Sequence, residues 1–343
     1  MKKWQGDILF LILIGALVAG WISLYPTPGE SPLAPLEPPA GLEAETLPTY
    51  AGADGTQLAY RYYQPQGPAT HVVVLLHDTL LHSGWYERLG QDLAQRGVAV
   101  YLPDRRGWGH SAGDRRQVAK DKSVLLKDIT AMIAVAQART PQLDIYLAGH
   151  GRAAGLVLQY AAAQRPLAGV ILLSPYLSEK QPNLRTEGWR LFATAHPGEA
   201  FLARAGLSHW PVYRYNWPQA MIEVDPLLET RCGLSCQRET LVEFEARGGA
   251  DSDTAQLATQ ISPLQASATD TVSPEAFTWD SEIHVPLLYV QAQDGPLFDP
   301  EKTALVLAEL GAADQHLETY PGVDHLTLIE VAADPIADWL AKQ

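Results

Sequence analysis

The sequence predicts an α/β protein, a mainly parallel sheet covered by helices on both faces and interrupted once by an inserted, mostly helical cap. Short apolar, β-branched runs alternate with segments of helical periodicity from His71 to Leu173, and again from Pro286 to the C-terminus. That rhythm breaks after Ser174-Pro175, where residues 176–280 are rich in Trp, Tyr and Pro. Of the 343 residues, 47% are hydrophobic and only 19% charged, which supplies a folded core and argues against a disordered chain. The formal charge of −14 excludes a generic basic nucleic-acid binder.

The first element is an export segment. Lys2 and Lys3 precede an uncharged apolar run from Ile8 to Leu24, which as a helix extends about 25 Å and just matches a thin bilayer. Val18-Ala19-Gly20 only partly resembles a cleavage site, and Trp21-Ile22 continue the apolar run. A retained anchor is therefore favoured over a cleaved signal peptide for residues 1–24. The lysines stay cytoplasmic in this reading. The rest becomes extracytoplasmic, in the periplasm or at the cell surface, or secreted if the segment is cleaved. Residues 25–45 follow as a linker with prolines at 26, 28, 32, 35, 38 and 39, an extended spacer or plain padding.

The core is expected in two pieces, residues 46–175 and 281–343, around a cap at 176–280. Ala59–Gln64 reads as a strand of an edge hairpin, and His71–Leu76 as a buried strand ending at His77. Trp85–Arg96 has helical spacing and stops at Gly97; Val98–Leu102 is a strand entering the loop DRRGWGHSAGD; Lys122–Arg139 is a helix. Strand Ile145–Ala148 meets GHGRAAG and a helix through Gln164, and Gly169–Leu173 is the next strand. After the cap come strand Pro286–Val290, helix Thr303–Leu310, strand Gln315–Tyr320 and a last helix.

Four segments in this order, HDTLLHSGWY at 77–86, DRRGWGHSAGDR at 104–115, GHGRAAG at 149–155 and YPGVDH at 320–325, resemble the α/β-hydrolase superfamily. Within it they are similar to the capped serine hydrolases that include monoacylglycerol lipases, bacterial lysophospholipases and serine aminopeptidase S33 proteins. The resemblance covers roughly Thr49 to Gln343 in element order. It implies a serine on a sharp strand-to-helix turn, activated by a histidine that a carboxylate orients, with backbone amides stabilising the oxyanion.

The turn here reads Gly149-His150-Gly151-Arg152-Ala153, so the position matching the serine is Gly151 and there is no hydroxyl to activate. Glycine suits a strained elbow that costs other residues about 1–3 kcal/mol. Losing the nucleophile nevertheless removes roughly 10⁶ in turnover in one well-studied serine protease. The resemblance places the histidine at His325 and the oxyanion amides at Thr79 and Arg152. His77-Asp78 stands where the family has His-Gly, so a carboxylate enters the oxyanion region, and the Arg152 side chain is expected to pair with it. Matching Asp299-Pro300 to the family's Asp-Pro puts the acid at Gly295; a one-residue shift gives Asp294. Asp294 is preferred, with Asp299 second.

Other candidates have plainer readings. GHGRAAG lacks the Lys-Ser/Thr of a phosphate loop and the spacing of a dinucleotide fingerprint. Ser111 reads as a loop residue, and His77 and His150 as packed or hydrogen-bonded histidines. No His-Glu-x-x-His or clustered ligand spacing defines a metal site, and no cofactor is expected. Cys232 and Cys236 are a candidate disulfide across a turn at Gly233 in an oxidising compartment. The aromatic run from His209 to Trp217 either lines a ligand pocket or builds a small cap core. The expected function is a lysophospholipase- or esterase-like protein without ordinary serine-hydrolase chemistry, which binds a lipid, an ester or an envelope partner. The alternative is an active carboxylic-ester hydrolase, acting on lysophospholipid or monoacylglycerol through His325-activated water or a displaced nucleophile.

Overall fold

The computed structural model describes residues 31–40, 46–78, 81–113, 123–163 and 166–177, short stretches between 183 and 239, and 283–343 apart from 310, 311 and 313. The export segment, Thr79, Cys232, Cys236 and the side chains of His209, Trp210 and Tyr213 lie outside the described residues. Among the described residues no helix is long and apolar enough to cross a membrane.

Eight strands form the main sheet in the order β1-β2-β4-β3-β5-β6-β10-β11. They are β1 (Thr49–Ala51), β2 (Gln57–Tyr63), β3 (His71–Leu76), β4 (Val98–Pro103), β5 (Ile145–His150), β6 (Gly169–Leu173), β10 (Leu287–Ala292) and β11 (Gln315–Tyr320). The first two run antiparallel to their neighbours and the other six are mutually parallel. The central strands are β-branched or leucine-rich and buried on both sides, as a sheet covered on both faces requires.

The two-residue period of the strand sorts each one between two cores. In β3, Val73 and Leu75 join one cluster while Val72, Val74 and Leu76 join the other. The first cluster packs Leu89 and Leu93 of α1 (Glu87–Gln95) with Ile336 and Trp339 near the C-terminus. The second packs Ile129 and Met132 of α2 (Ser123–Arg139) and Leu156, Val157 and Leu158 of α3 (Ala153–Ala162). Strand β5 and helix α3 are separated only by Gly151 and Arg152, so the chain reverses from strand to helix in one tight bend.

The described part of the cap adds a feature beyond the mostly helical insertion expected from sequence. Three short strands, β7 (Ala193–Ala195), β8 (Tyr213–Tyr215) and β9 (Arg238–Glu239), pair antiparallel, beside a single-turn helix α4 (Gln219–Val224). Tyr213-Arg214-Tyr215 alternates aromatic and charged residues, a strand pattern too short to stand out from sequence alone. The cap is tied to the body at Asp225. Its carboxylate accepts from Trp85 Nε1 at 2.6 Å and pairs with His82 Nε2 at 2.7 Å, all three being buried.

The proline-rich stretch is not a free spacer where it is described. Leu33 and Leu36 are buried in the first core cluster, and the Ala34 amide donates to Asp324 Oδ2 at 2.6 Å.

Candidate active site

Three loops at the C-terminal ends of the parallel strands build the site. The loop after β3 brings Asp78, the bend after β5 brings Gly151 and Arg152, and the loop after β11 brings His325. This is where an open parallel sheet places its functional groups.

Gly151 has φ +54°, the left-handed conformation a nucleophile bend requires and one that glycine adopts without steric cost. Its amide donates to Leu173 O at 2.9 Å, and its carbonyl accepts from Tyr176 N at 3.0 Å. The space a side chain at this position would enter is filled: a Cβ built on Gly151 overlaps the carboxyl carbon and both oxygens of Asp78.

Asp78 engages the two groups that the sequence resemblance assigns to the oxyanion and the general base, the Arg152 amide and His325. Its Oδ1 accepts from the Arg152 amide at 2.8 Å, and its Oδ2 pairs with His325 Nε2 at 2.8 Å. Burial alone would raise the carboxyl's pKa, but the hydrogen bond and charge of His325, His150 nearby and the Arg152 amide together hold it below the ordinary carboxylate range. Asp78 is therefore an ion at neutral pH although buried.

A second line of hydrogen bonds supports the first. The Asp78 amide donates to Tyr86 Oη at 2.9 Å, which lies 2.7 Å from His150 Nδ1, and His150 Nε2 lies 2.9 Å from the His325 carbonyl. Consistent donation along this line puts the His150 proton on Nε2 and leaves Nδ1 to accept from the phenol. Burial first, then the neighbouring His325, pushes His150 down to about 3. His77 is likewise pushed down to about 3, by burial first and then by Arg105. It accepts from the Arg105 amide at 2.8 Å and lies 2.7 Å from Asp78 O. The His150 and His325 rings stack at 4.3 Å and 19°, and Phe298 packs on His325 at 5.1 Å.

One nitrogen is left over. His325 is 3% exposed, and among the described residues its Nδ1 has no hydrogen-bond partner. Asp294, the carboxylate expected there, is instead exposed, with its Oδ2 3.4 Å from the Gly322 amide. Asp299 caps the helix α5 (Pro300–Glu309), accepting from the amides of Glu301 and Lys302. The residue beside His325 is Gly295: a Cβ there would lie 3.8 Å from His325 N and 3.6 Å from Asp324 Cα. The expectation of Asp294 at His325 is thus corrected: among the described residues the carboxylate that meets the histidine is Asp78.

Arg152 also departs from expectation. Its backbone amide holds Asp78, whereas its guanidinium bonds Tyr215 Oη of the cap at 2.6 Å and lies over the Tyr215 and Tyr176 rings at 5.0 and 5.6 Å. Planar guanidinium stacks well on aromatic faces, and that competes with simple pairing to a carboxylate. Tyr215 and Trp217 are buried, the described part of the aromatic run lying in the shared core. Ser111 bonds Asp104 O at 2.6 Å and accepts from Ala59 N at 2.8 Å, a loop-bracing role.

Asp78, His150 and His325 bring three ligand-type atoms within 4.8 Å of one another. Both His150 nitrogens are already bonded, however, and near-parallel stacked rings direct their in-plane lone pairs side by side instead of toward one point. The set fits a hydrogen-bonded network better than a coordination sphere.

Sequence reasoning missed the coupling between Asp78 and Gly151. The signal was present as two departures that exchange volume: a side chain gained at 78 and one lost at 151.

Comparison with known proteins agrees with this fold. The family model described as "Serine aminopeptidase, S33" matches residues 67–332. Human monoglyceride lipase is 33% identical over 144 residues, 41% of this chain and 47% of that protein. A monoacylglycerol lipase of Mycolicibacterium smegmatis is 32% identical over 114 residues, 33% of this chain and 40% of that one. The chain thus spans about half the length of the curated relatives it matches. A soluble variant of monoglyceride lipase from Saccharomyces cerevisiae superposes with a TM-score of 0.64 at 16% identity, covering 90% of this chain and 98% of that one, a likeness of fold.

Proposed function

Because the chain belongs to the serine aminopeptidase S33 family of α/β-hydrolase folds, a monoglyceride lipase- and esterase-like group, we propose that it is a member retired from serine catalysis and retained for binding. One observation carries the reading: the Asp78 carboxylate occupies the space of the absent side chain at Gly151 and takes both the oxyanion amide and the histidine. A substrate carbonyl reaches the Arg152 amide only by displacing Asp78. Leaving the buried Asp78 carboxylate without its hydrogen-bond partners costs about 1–3 kcal/mol or more, roughly a 10- to 10²-fold or larger loss of affinity, before any chemistry. The missing nucleophile then removes the covalent step itself.

The lipase-like relatives make a small lipid or ester the expected ligand class, with a protein partner in the envelope as the alternative. The lysine-flanked apolar run at residues 8–24 supports an anchored, extracytoplasmic placement of the folded body.

A second reading rests on the same ring. With Nε2 held by Asp78, His325 Nδ1 has no hydrogen-bond partner among the described residues, and when the ring is neutral that nitrogen is the base, an inverted version of the usual carboxylate–imidazole arrangement. In that reading His325 activates water and the chain hydrolyses carboxylic esters.

Purified full-length protein assayed with short and medium acyl esters and monoacylglycerol, alongside a serine-directed fluorophosphonate probe, separates the two. The binding reading expects no wild-type turnover and no label. Gly151→Ser alone is also silent, because its Cβ meets Asp78. Asp78→Gly combined with Gly151→Ser gains labelling, and adding His325→Ala removes it. Robust wild-type turnover that disappears in His325→Ala would establish the hydrolase instead.

A further inference from the structure

Residues 31–40 read Ser-Pro-Leu-Ala-Pro-Leu-Glu-Pro-Pro-Ala and lie ahead of the family-matched residues 67–332. They form neither helix nor strand, yet they are not loose against the body. Leu33 and Leu36 are each 4% exposed and Pro39 is half-buried, while Ala34, Pro35, Glu37 and Pro38 face solvent. Burial recurring every third residue is the period of a polyproline II helix, and Pro32, Pro35, Pro38 and Pro39 fix their own φ near the value that helix uses. Prolines remove amide donors, so those that remain have defined work. The Leu33 amide donates to Ser31 Oγ at 3.2 Å and the Ala34 amide to Asp324 Oδ2 at 2.6 Å.

Asp324 is the residue before His325. Its other oxygen, Oδ1, accepts from the Leu326 amide at 2.9 Å, the Thr327 amide at 3.0 Å and Thr327 Oγ1 at 3.1 Å. That carboxylate shapes the turn presenting the histidine, and the proline-rich segment occupies its remaining face.

We propose that the body carries a docking groove beside the His325 turn for a polyproline II segment with leucines three residues apart, filled by the chain's own residues 31–40. The groove reads two apolar side chains at that spacing and one backbone amide between them. A preformed extended helix loses little freedom on docking, and covalent attachment a few residues from β1 gives an effective concentration on the order of millimolar. The seated segment braces the turn that carries His325.

The test uses the full-length chain and a fluorescein-labelled synthetic peptide of residues 31–40. In a Leu33→Asp/Leu36→Asp variant the groove is vacated, so the peptide binds at least tenfold more tightly than to wild type, and a peptide with both leucines replaced by aspartate does not bind. Hydrogen exchange of the amides at 322–329 rises at least tenfold in that variant. Ala34→Pro removes only the bridging amide, keeps the extended helix and raises exchange at the same residues by a smaller factor. Equal peptide binding to variant and wild type, or no binding to a folded variant, overturns the proposal. If the double variant fails to fold, Ala34→Pro decides: unchanged exchange at 322–329 overturns the bracing contact, and faster exchange supports it. A wild-type dimer that exchanges this segment between copies would overturn occupancy by the chain's own segment.

Discussion

Two buried carboxylate–imidazole pairs, His82–Asp225 and His325–Asp78, are nearly identical in length, at 2.7 and 2.8 Å, and differ in completeness. His82 spends its second nitrogen on the Gly84 amide at 3.0 Å, and Asp225 also takes Trp85 Nε1 and the Leu227 amide. Each polar atom of that imidazole has a partner, as a structural network requires. His325 is buried with no partner for Nδ1 among the described residues, and its carboxylate partner takes an amide at a backbone bend of positive φ. The first pair is cap-to-body cement. The second leaves one ring nitrogen without a partner among the described residues.

The largest effect that sharpens this contrast is expected at the complete pair. Asp225→Ala leaves the His82 and Trp85 donors buried and unpaired and should destabilise the protein by about 3–5 kcal/mol in urea unfolding. Asp78→Ala should cost less, by at least ~1 kcal/mol, because it vacates a space next to a residue without a side chain, where water can enter and satisfy His325 and the Arg152 amide. Equal costs would dissolve the distinction between the two pairs.

The acid response should follow the site and not the sheet. His77 and His150 are held near 3 when folded, against about 6.5 when unfolded, so the unfolded chain binds more protons between those values. Their contribution is fully present above pH ~6.5 and is lost as pH falls toward ~3. Asp78 and Asp225, both lowered, add a further loss below about pH 4. Stability measured across pH 7 to 3 should fall steadily, and His150→Gln should flatten the part of that slope above pH 4. A flat wild-type profile would mean that these histidines are not held neutral.

The frame of this molecule was legible because its signals are local and repeated. β-Branched runs such as His71–Leu76 and Gly169–Leu173 have the same bounds in the sequence reading and in the structure. Helix ends moved by a few residues where a short 3-10 turn, Ser83–Tyr86, precedes α1. The site was legible only in part. The bend at Gly151 and the histidine at 325 follow from motif position, but the partner of that histidine does not, because Asp78 and His325 meet across 247 residues of chain. A carboxylate at 294 or 299 looked equivalent to one at the acid position until the fold turned Asp294 outward and used Asp299 as a helix cap. The burial of Leu33 and Leu36 was hidden for the opposite reason: proline-rich composition reads as spacer whether or not a groove awaits it.

The smallest expected effect tests the vacancy beside His325 directly. Gly295→Asp puts a Cβ 3.8 Å from the His325 backbone nitrogen, from which its carboxylate is expected to reach Nδ1 and give that nitrogen the acceptor it lacks among the described residues. The Cβ finds Ala292 Cβ at 3.2 Å, a tight approach, so crowding offsets most of the gain and net stability should change by less than ~1 kcal/mol. The informative readout is spectroscopic. With an acceptor at each ring nitrogen, proton NMR should show a second strongly deshielded ring N–H that wild type lacks and His325→Gln removes. If the substitution folds normally and no such proton appears, the space beside Gly295 is not the vacated acid position, and the incompleteness of the His325 pair needs another origin.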